Sequence, residues 1–215
     1  MNFELSKISG RETYSLLIGL VNPRPIALVT SLDLHGKLNA APFSAYNYVG
    51  VDPAIIAIGV GNRPGPGVVG KDTAQNIRNT REFVVNVVNE EIAEKMNVCA
   101  IDFPPGINEL NEAGFTTEPS TRISVPRITQ APASLECREY TTIEIGNSRV
   151  ILGLVLAINV RDDLVDPKGP YIRSDELHTI GRMNGLGNYV RTRGAFFNME
   201  RINVKDWEGR HPKAD

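Results

Sequence analysis

Residues 24–60 read RPIALVTSLDLHGKLNAAPFSAYNYVGVDPAIIAIGV, and this stretch decides the fold. Residues 25–31 (PIALVTS) form a short apolar run ending in hydroxyls, which predicts a strand. Residues 32–37 (LDLHGK) contain Asp33 and Gly36 and suit a hairpin turn. The chain returns through 38–48 (LNAAPFSAYNY), where Pro42 forbids regular pairing as a central strand. Residues 53–60 (PAIIAIGV) predict another strand.

Further along, 59–70 (GVGNRPGPGVVG) is a glycine and proline loop, long for a simple connection. Residues 72–80 predict a helix, with Asp72 as N-cap and Gln75 three positions on, as in a capping box. Residues 82–88 (EFVVNVV) predict a strand. Residues 90–98 and 108–113 predict short helices, the second stopped by Gly114. From 134 to 145 the pattern is β again, alternating at Thr141, Ile143 and Ile145. Residues 149–161 carry Val, Leu and Ile on both faces, so burial on both sides is expected. After Pro170 the chain reads as loops, and 206–215 as a polar tail. Short strands with helices between them predict a mainly β fold. The expected form is a closed or partly open antiparallel barrel of Greek-key type, in one domain with its core over about residues 20–195. No G-x-G-x-x-G follows a strand, so a Rossmann dinucleotide site lacks its signature.

Composition narrows the function. The 215 residues are 41% hydrophobic and 22% charged, which argues against disorder of the whole chain. A net charge of -2 supplies no basic excess for nucleic acid. Cys99 and Cys137 have no histidine neighbours, so no metal spacing exists, and two reduced thiols are expected. The first residues, MNFELSKISGRETYSLLIGLVNPRP, lack the basic start and apolar centre of a signal peptide. The longest apolar run, 150–160, is too short to span a bilayer as a helix. The expected setting is the cytoplasm, with no membrane and no nucleic-acid partner.

Three places could carry chemistry. Lys71, Asp72 and Thr73 open a predicted helix after a glycine loop. A helix N-terminus offers unpaired N–H groups and partial positive charge, and a lysine with a hydroxyl completes a phosphate site. The alternative is an ordinary capped helix with an exposed lysine, which the carboxylate of Asp72 favours. Thr30 and Ser31, with Asn39, Ala40, Ala41, Pro42, Phe43 and Ser44, flank one predicted hairpin. Small residues there expose backbone groups to a flat polar ring, and Phe43 or Pro42 offers it an apolar surface. The alternative is a tight packing layer. His178 stands with Arg182 and Tyr189 in a polar, glycine-rich stretch, either over a ligand or as a hydrogen-bonded surface histidine. Nucleophile chemistry has weak support: no G-x-S-x-G appears.

Together, residues 24–60, the following K-D-T-x-x-N-I, the strand EFVVNVV and the later IGRMNGLGNYVR resemble the flavin reductase-like family, whose fold is the FMN-binding split barrel. The resemblance implies a non-covalent FMN, with FAD the other flavin it admits. It places Thr30, Ser31 and Asn39 to Ser44 around the ring and ribityl chain, and Lys71, Asp72 and Thr73 near the phosphate. It implies a homodimer with flavin near the interface, where His178, as a catalytic or donor-orienting residue, with Arg182 and Tyr189 could approach the partner's flavin. One departure stands out. Short flavin reductases of two-component monooxygenases end in a G-D-H-type motif, and here the region reads DELHTIGRMNGLGNYVRT.

Three functions follow from the resemblance. The first is an NAD(P)H-dependent flavin reductase-type oxidoreductase that passes electrons to a flavin-dependent monooxygenase or another acceptor. The second is a flavin-bearing electron carrier that takes electrons from a protein partner. The third is a pyridoxamine-phosphate-oxidase-like enzyme, disfavoured by the lack of clustered basic residues.

Overall fold

The computed structural model of the protein describes residues 1–62, 70–104, 107–204 and 206–207. Most of the predicted loop 59–70 (residues 63–69) lies outside the described residues, as do 208–215 of the predicted tail, including His211. In chain order the elements are α1 (Gly10–Leu20), β1 (Ala27–Leu32), β2 (Leu38–Phe43), β3 (Tyr46–Val51), β4 (Ala54–Gly61), α2 (Asp72–Thr80) and β5 (Glu82–Val87). Then come α3 (Ala93–Val98), α4 (Glu109–Glu112), β6 (Thr117–Glu118), β7 (Arg127–Ile128), β8 (Ala133–Ile145), β9 (Ser148–Val160), β10 (Ile180–Arg182) and β11 (Tyr189–Arg191).

Seven strands form one antiparallel sheet in the order β2-β1-β5-β8-β9-β4-β3. Register shifts at Glu136/Cys137 and Glu139/Thr141 bulge the β8–β9 pair, and bulges bend and twist a strand. The curled sheet encloses Ala27, Val29, Phe43, Ile58, Phe83 and Cys137, among others. The β3–β4 pairing runs on past Tyr46↔Ile58, where the Gly59 N–H donates to the Ala45 carbonyl at 2.6 Å and brings the β2–β3 connection against β4. A Cβ on Gly59 would lie 2.8 Å from that of Ala45, so the approach requires glycine. Among the described residues no ladder joins β2 to the far end, and the barrel stays split beside β2. The fold is the mainly β, antiparallel split barrel.

β1 explains its own sequence. Ala27 and Val29 face the barrel interior, while Ile26 and Leu28 face a second core with Ile92, Met96, Leu110 and Ile128. Burial on both faces makes the first half of the strand apolar, while its buried hydroxyls, Thr30 and Ser31, are each hydrogen-bonded. Pro42 does sit inside a strand, opposite Leu28, but β2 is an edge, where proline is tolerated.

Other expectations need correction. The N-cap of α2 is Lys71, not Asp72, and no side chain caps that end. Gln75 turns its amide to Asn79 Oδ1 at 3.0 Å, so no capping box forms there. A capping box does form at Ser9 and Glu12, and it starts α1, a helix the sequence reading did not foresee. On β9 only Ile151 and Gly153 are buried, and Ile158 is exposed, so burial on both sides does not occur within one chain. The stretch after Pro170 contains the β10–β11 pair. Among the described residues, no helix is long and apolar enough to cross a membrane.

Candidate active site

The site is built where α2 meets the open edge of the barrel. Ser31 Oγ, on β1, accepts from Asn76 Nδ2 of α2 at 3.2 Å. Thr30 Oγ1 donates to the Pro126 carbonyl at 2.9 Å and accepts from Asn86 Nδ2 at 3.3 Å. Both hydroxyls are fully buried. Thr30 and Ser31, expected at the ring, therefore hold the scaffold under the site instead of lining it. Asn39 Nδ2, on β2, donates to Thr73 Oγ1 in the first turn of α2 at 3.1 Å. The two motifs found separately in sequence are thus joined.

A cleft of about 140 Å³ runs between them, lined by Asn39, Ala40, Ala41, Pro42, Lys71, Asp72 and Thr73, with Cys99 to Asp102 and Glu109 opposite. The first-turn N–H groups of α2 have no side-chain cap, and that end of a helix carries partial positive charge. Lys71 extends along the cleft, its ammonium 5.8 Å from the centre of the Phe43 ring. Phe43 itself is 7% exposed and points into the barrel, so Pro42 is the residue that presents apolar surface to the cleft. The opposite wall is acidic. Glu109 Oε2 accepts weakly from the Ala40 N–H at 3.4 Å. Cys99, beneath this wall, has its thiol pKa pushed up to about 12, by burial and then by the charge of Glu109.

A second cleft of about 270 Å³ shares Pro42 and Ala100 with the first. Ser44, Arg24, Arg182 and Tyr189 line it. Arg182 stacks over Tyr189, 4.6 Å from the ring centre. Arg24 is the residue that sequence reading missed. It opens the deciding stretch, but its main-chain pairing with Arg182 joins distant parts of the chain.

His178 is not brought to these clefts within the chain. Its Nδ1 lies 2.9 Å from Arg193 Nη2, and its carbonyl accepts from the Glu90 N–H. It precedes β10 while Arg182 ends it. Four residues of extended chain separate the two backbones by roughly 13 Å. The expectation that groups His178 with Arg182 and Tyr189 is corrected accordingly.

A split barrel whose open edge faces a capless helix N-terminus across a polar cleft defines a class of cofactor-handling β-barrel. Residues 20–179 match the family model described as flavin reductase like domain, and the chain belongs to that family of oxidoreductases. A relative from Aquifex aeolicus (strain VF5), named only as an uncharacterized protein, is 40% identical over 194 residues, covering 90% of this chain and 97% of that one. Among solved structures, the 2-nitrobenzoate 2-nitroreductase NbaA of Pseudomonas fluorescens is 40% identical with a TM-score of 0.82, covering 95% of this chain and 96% of that one. Nitrilotriacetate monooxygenase component B from Bacillus cereus is 28% identical with a TM-score of 0.85, covering 94% and 98%.

Proposed function

We propose that the protein, as one flavin reductase-like domain, binds one FMN per chain across the cleft between β2 and α2 and the adjoining cleft that shares Pro42 and Ala100 with it, and uses NAD(P)H as electron donor. The observation that carries this reading is the Asn39–Thr73 bond, which fixes an edge strand of small residues beside an uncapped helix N-terminus. Lys71, Thr73 and the first-turn N–H groups suit a phosphate. Asn39 to Ser44 suit the ribityl chain and one edge of the ring, with Pro42 against its face. The flavin supplies two-electron redox chemistry there. The residues of the chain bind it, orient it and screen it from water. Arg182 and Tyr189 border the far end of the ring. FAD is the alternative flavin.

Exposed apolar side chains on α1 (Tyr14, Leu17, Leu20), β3 (Tyr48, Val49, Val51) and the β8–β9 hairpin (Ile143, Ile145, Ile158) support a homodimer. The protein is assigned to the cytoplasm. The electron acceptor is a monooxygenase or a small molecule; the names of the two similar structures favour each in turn. An electron carrier fed by a protein partner is the second reading.

Titration with FMN, followed by flavin fluorescence, tests the proposal. One FMN should bind per chain, and Lys71→Ala should weaken FMN about tenfold to a hundredfold while leaving riboflavin nearly unchanged, because riboflavin lacks the phosphate. A colourless protein with no fluorescence change overturns the reading. Equal weakening of both ligands makes Lys71 structural. Anaerobic bleaching by NADH or NADPH separates the reductase from the carrier.

A further inference from the structure

Residues 195–204 run on after β11 as an arm with the wrong composition for a solvated segment. Segments that stay in water are polar, because apolar side chains gain by leaving it. This one reads AFFNMERINV. Residues 195–203 form neither helix nor strand, and every residue of 195–204 is exposed. Phe196 is 60%, Phe197 79% and Met199 81% exposed, and Ile202 and Val204 are exposed with them. A monomer rarely leaves so much contiguous apolar surface in water, and such a patch marks a contact.

A turn at the root carries the arm off its own chain. Gly194 adopts a φ of 69°, and the Ala195 N–H donates to the Thr192 carbonyl at 3.1 Å. Beside that root lies a groove of about 560 Å³ between α3 and the β10–β11 pair, and no arm residue lines it. Ala93 and Glu94 of α3 form one wall, and Ile180 and Val190 of the strands form the other. The charges left over in arm and groove are opposite. Glu90, at the end of the groove, is paired with Arg191 at 3.1 Å. Glu94 has no ion pair among the described residues, and neither has Arg201 of the arm. An exposed pair of this kind sets register more than affinity.

One chain therefore carries both an uncovered apolar arm and an unfilled groove of matching character. A two-fold exchange satisfies both at once, since an isologous contact uses each feature twice. Five such side chains bring roughly 500–700 Å² to a contact. With a groove contributed as well, each chain exceeds the roughly 800 Å² per partner of a stable interface.

We infer that the arm of one subunit seats in the α3/β10–β11 groove of a second copy of this chain. Phe196, Phe197 and Met199 cover the partner subunit's Ala93, Ile180 and Val190, and Arg201 meets the partner subunit's Glu94. The inference rests on the homodimer reading and adds the contact that holds the dimer; it does not require bound flavin.

Sedimentation equilibrium compares the full chain with one ending at Gly194, a truncation that removes no buried side chain among the described residues. Truncation should raise the dimer dissociation constant at least tenfold, and the double variant Phe197→Ser, Met199→Ser should raise it by a smaller factor. Cross-linking locates the arm. Glu94→Cys and Arg201→Cys chains, mixed and oxidised, should form a disulfide between two chains that neither variant forms alone. Cys99 and Cys137 are buried and stay out of the reaction. A mixture that does not cross-link overturns the inference. So does a chain carrying both substitutions that closes its disulfide within itself, which would give the arm to its own groove. A wild-type protein that sediments as a monomer overturns the homodimer reading and this inference together. A tight wild-type dimer that truncation leaves unchanged overturns the arm alone.

Discussion

Asn39 and Thr73 are bonded side chain to side chain at 3.1 Å, which ties the edge strand to the helix N-terminus across the cleft. Thr73 is almost fully buried, which makes Thr73→Val a clean deletion of the hydroxyl. Asn39→Ala and Thr73→Val should each weaken FMN, and the double variant should lose less than the sum. A coupling of about 0.5–1.5 kcal/mol is expected from a thermodynamic cycle on FMN dissociation constants. Strict additivity would show that the bond does not shape the site.

His178 gives the opposite expectation. It adopts a φ of 48°, in the left-handed region, and its ring is engaged by Arg193. His178→Ala should leave FMN affinity and the rate of flavin reduction within about twofold, under half a kcal/mol. Stopped-flow reduction by NADH measures it. A tenfold loss would return the residue to the active site, through the second subunit of a dimer.

Glu136 should govern acid stability. It is fully buried, and it accepts from the N–H groups of Thr121 and Arg122, at 3.0 and 2.7 Å, and from Asn159 Nδ2 at 2.8 Å. Burial raises its pKa, but these hydrogen bonds outweigh burial and hold it below the ordinary 4.5. The native state therefore binds fewer protons than the unfolded chain just below that value. The stabilisation is fully present above about pH 4.5 and is lost as pH falls through the lower native pKa. Glu136→Gln should cost roughly 2 kcal/mol at pH 7 and flatten the acid limb of Tm against pH. Parallel curves for the two proteins would sink this assignment.

The two thiols should be silent in the folded protein. Burial pushes Cys99 to about 12 and raises Cys137 as well, so neither is a thiolate near neutrality. A disulfide reagent such as DTNB at pH 8 should label neither until denaturant unfolds the chain, when both react. Fast native labelling of Cys99 would mean that the acidic wall of the cleft opens readily.

The sequence made some of this legible. The strands β1, β4, β5, β8 and β9 announce themselves because sheet pairing and burial demand apolar or alternating residues at fixed spacing. The cleft residues Asn39 to Pro42 and Lys71 to Thr73 were found because backbone exposure and phosphate chemistry restrict residue type. Helix α1 was missed: none of its residues is buried, so no core-facing stripe marks it, and only Ser9 and Glu12 signal its start. Thr30 and Ser31 were placed at the ring because sequence cannot say that both faces of β1 are covered. Arg24 gained no role because its partner across the cleft, Arg182, comes from the other end of the chain.

Pro42 has a consequence for the protein among its neighbours. A barrel left open keeps an unpaired strand margin, and here that margin faces the Glu109 wall instead of open water. Because β2 runs past Leu28↔Pro42 in unbroken register with β1, the missing N–H falls on the outer side. An incoming chain would find a gap in its ladder at the middle of the margin. The same residue that borders the cleft thus withholds one main-chain donor from any strand that would extend the sheet.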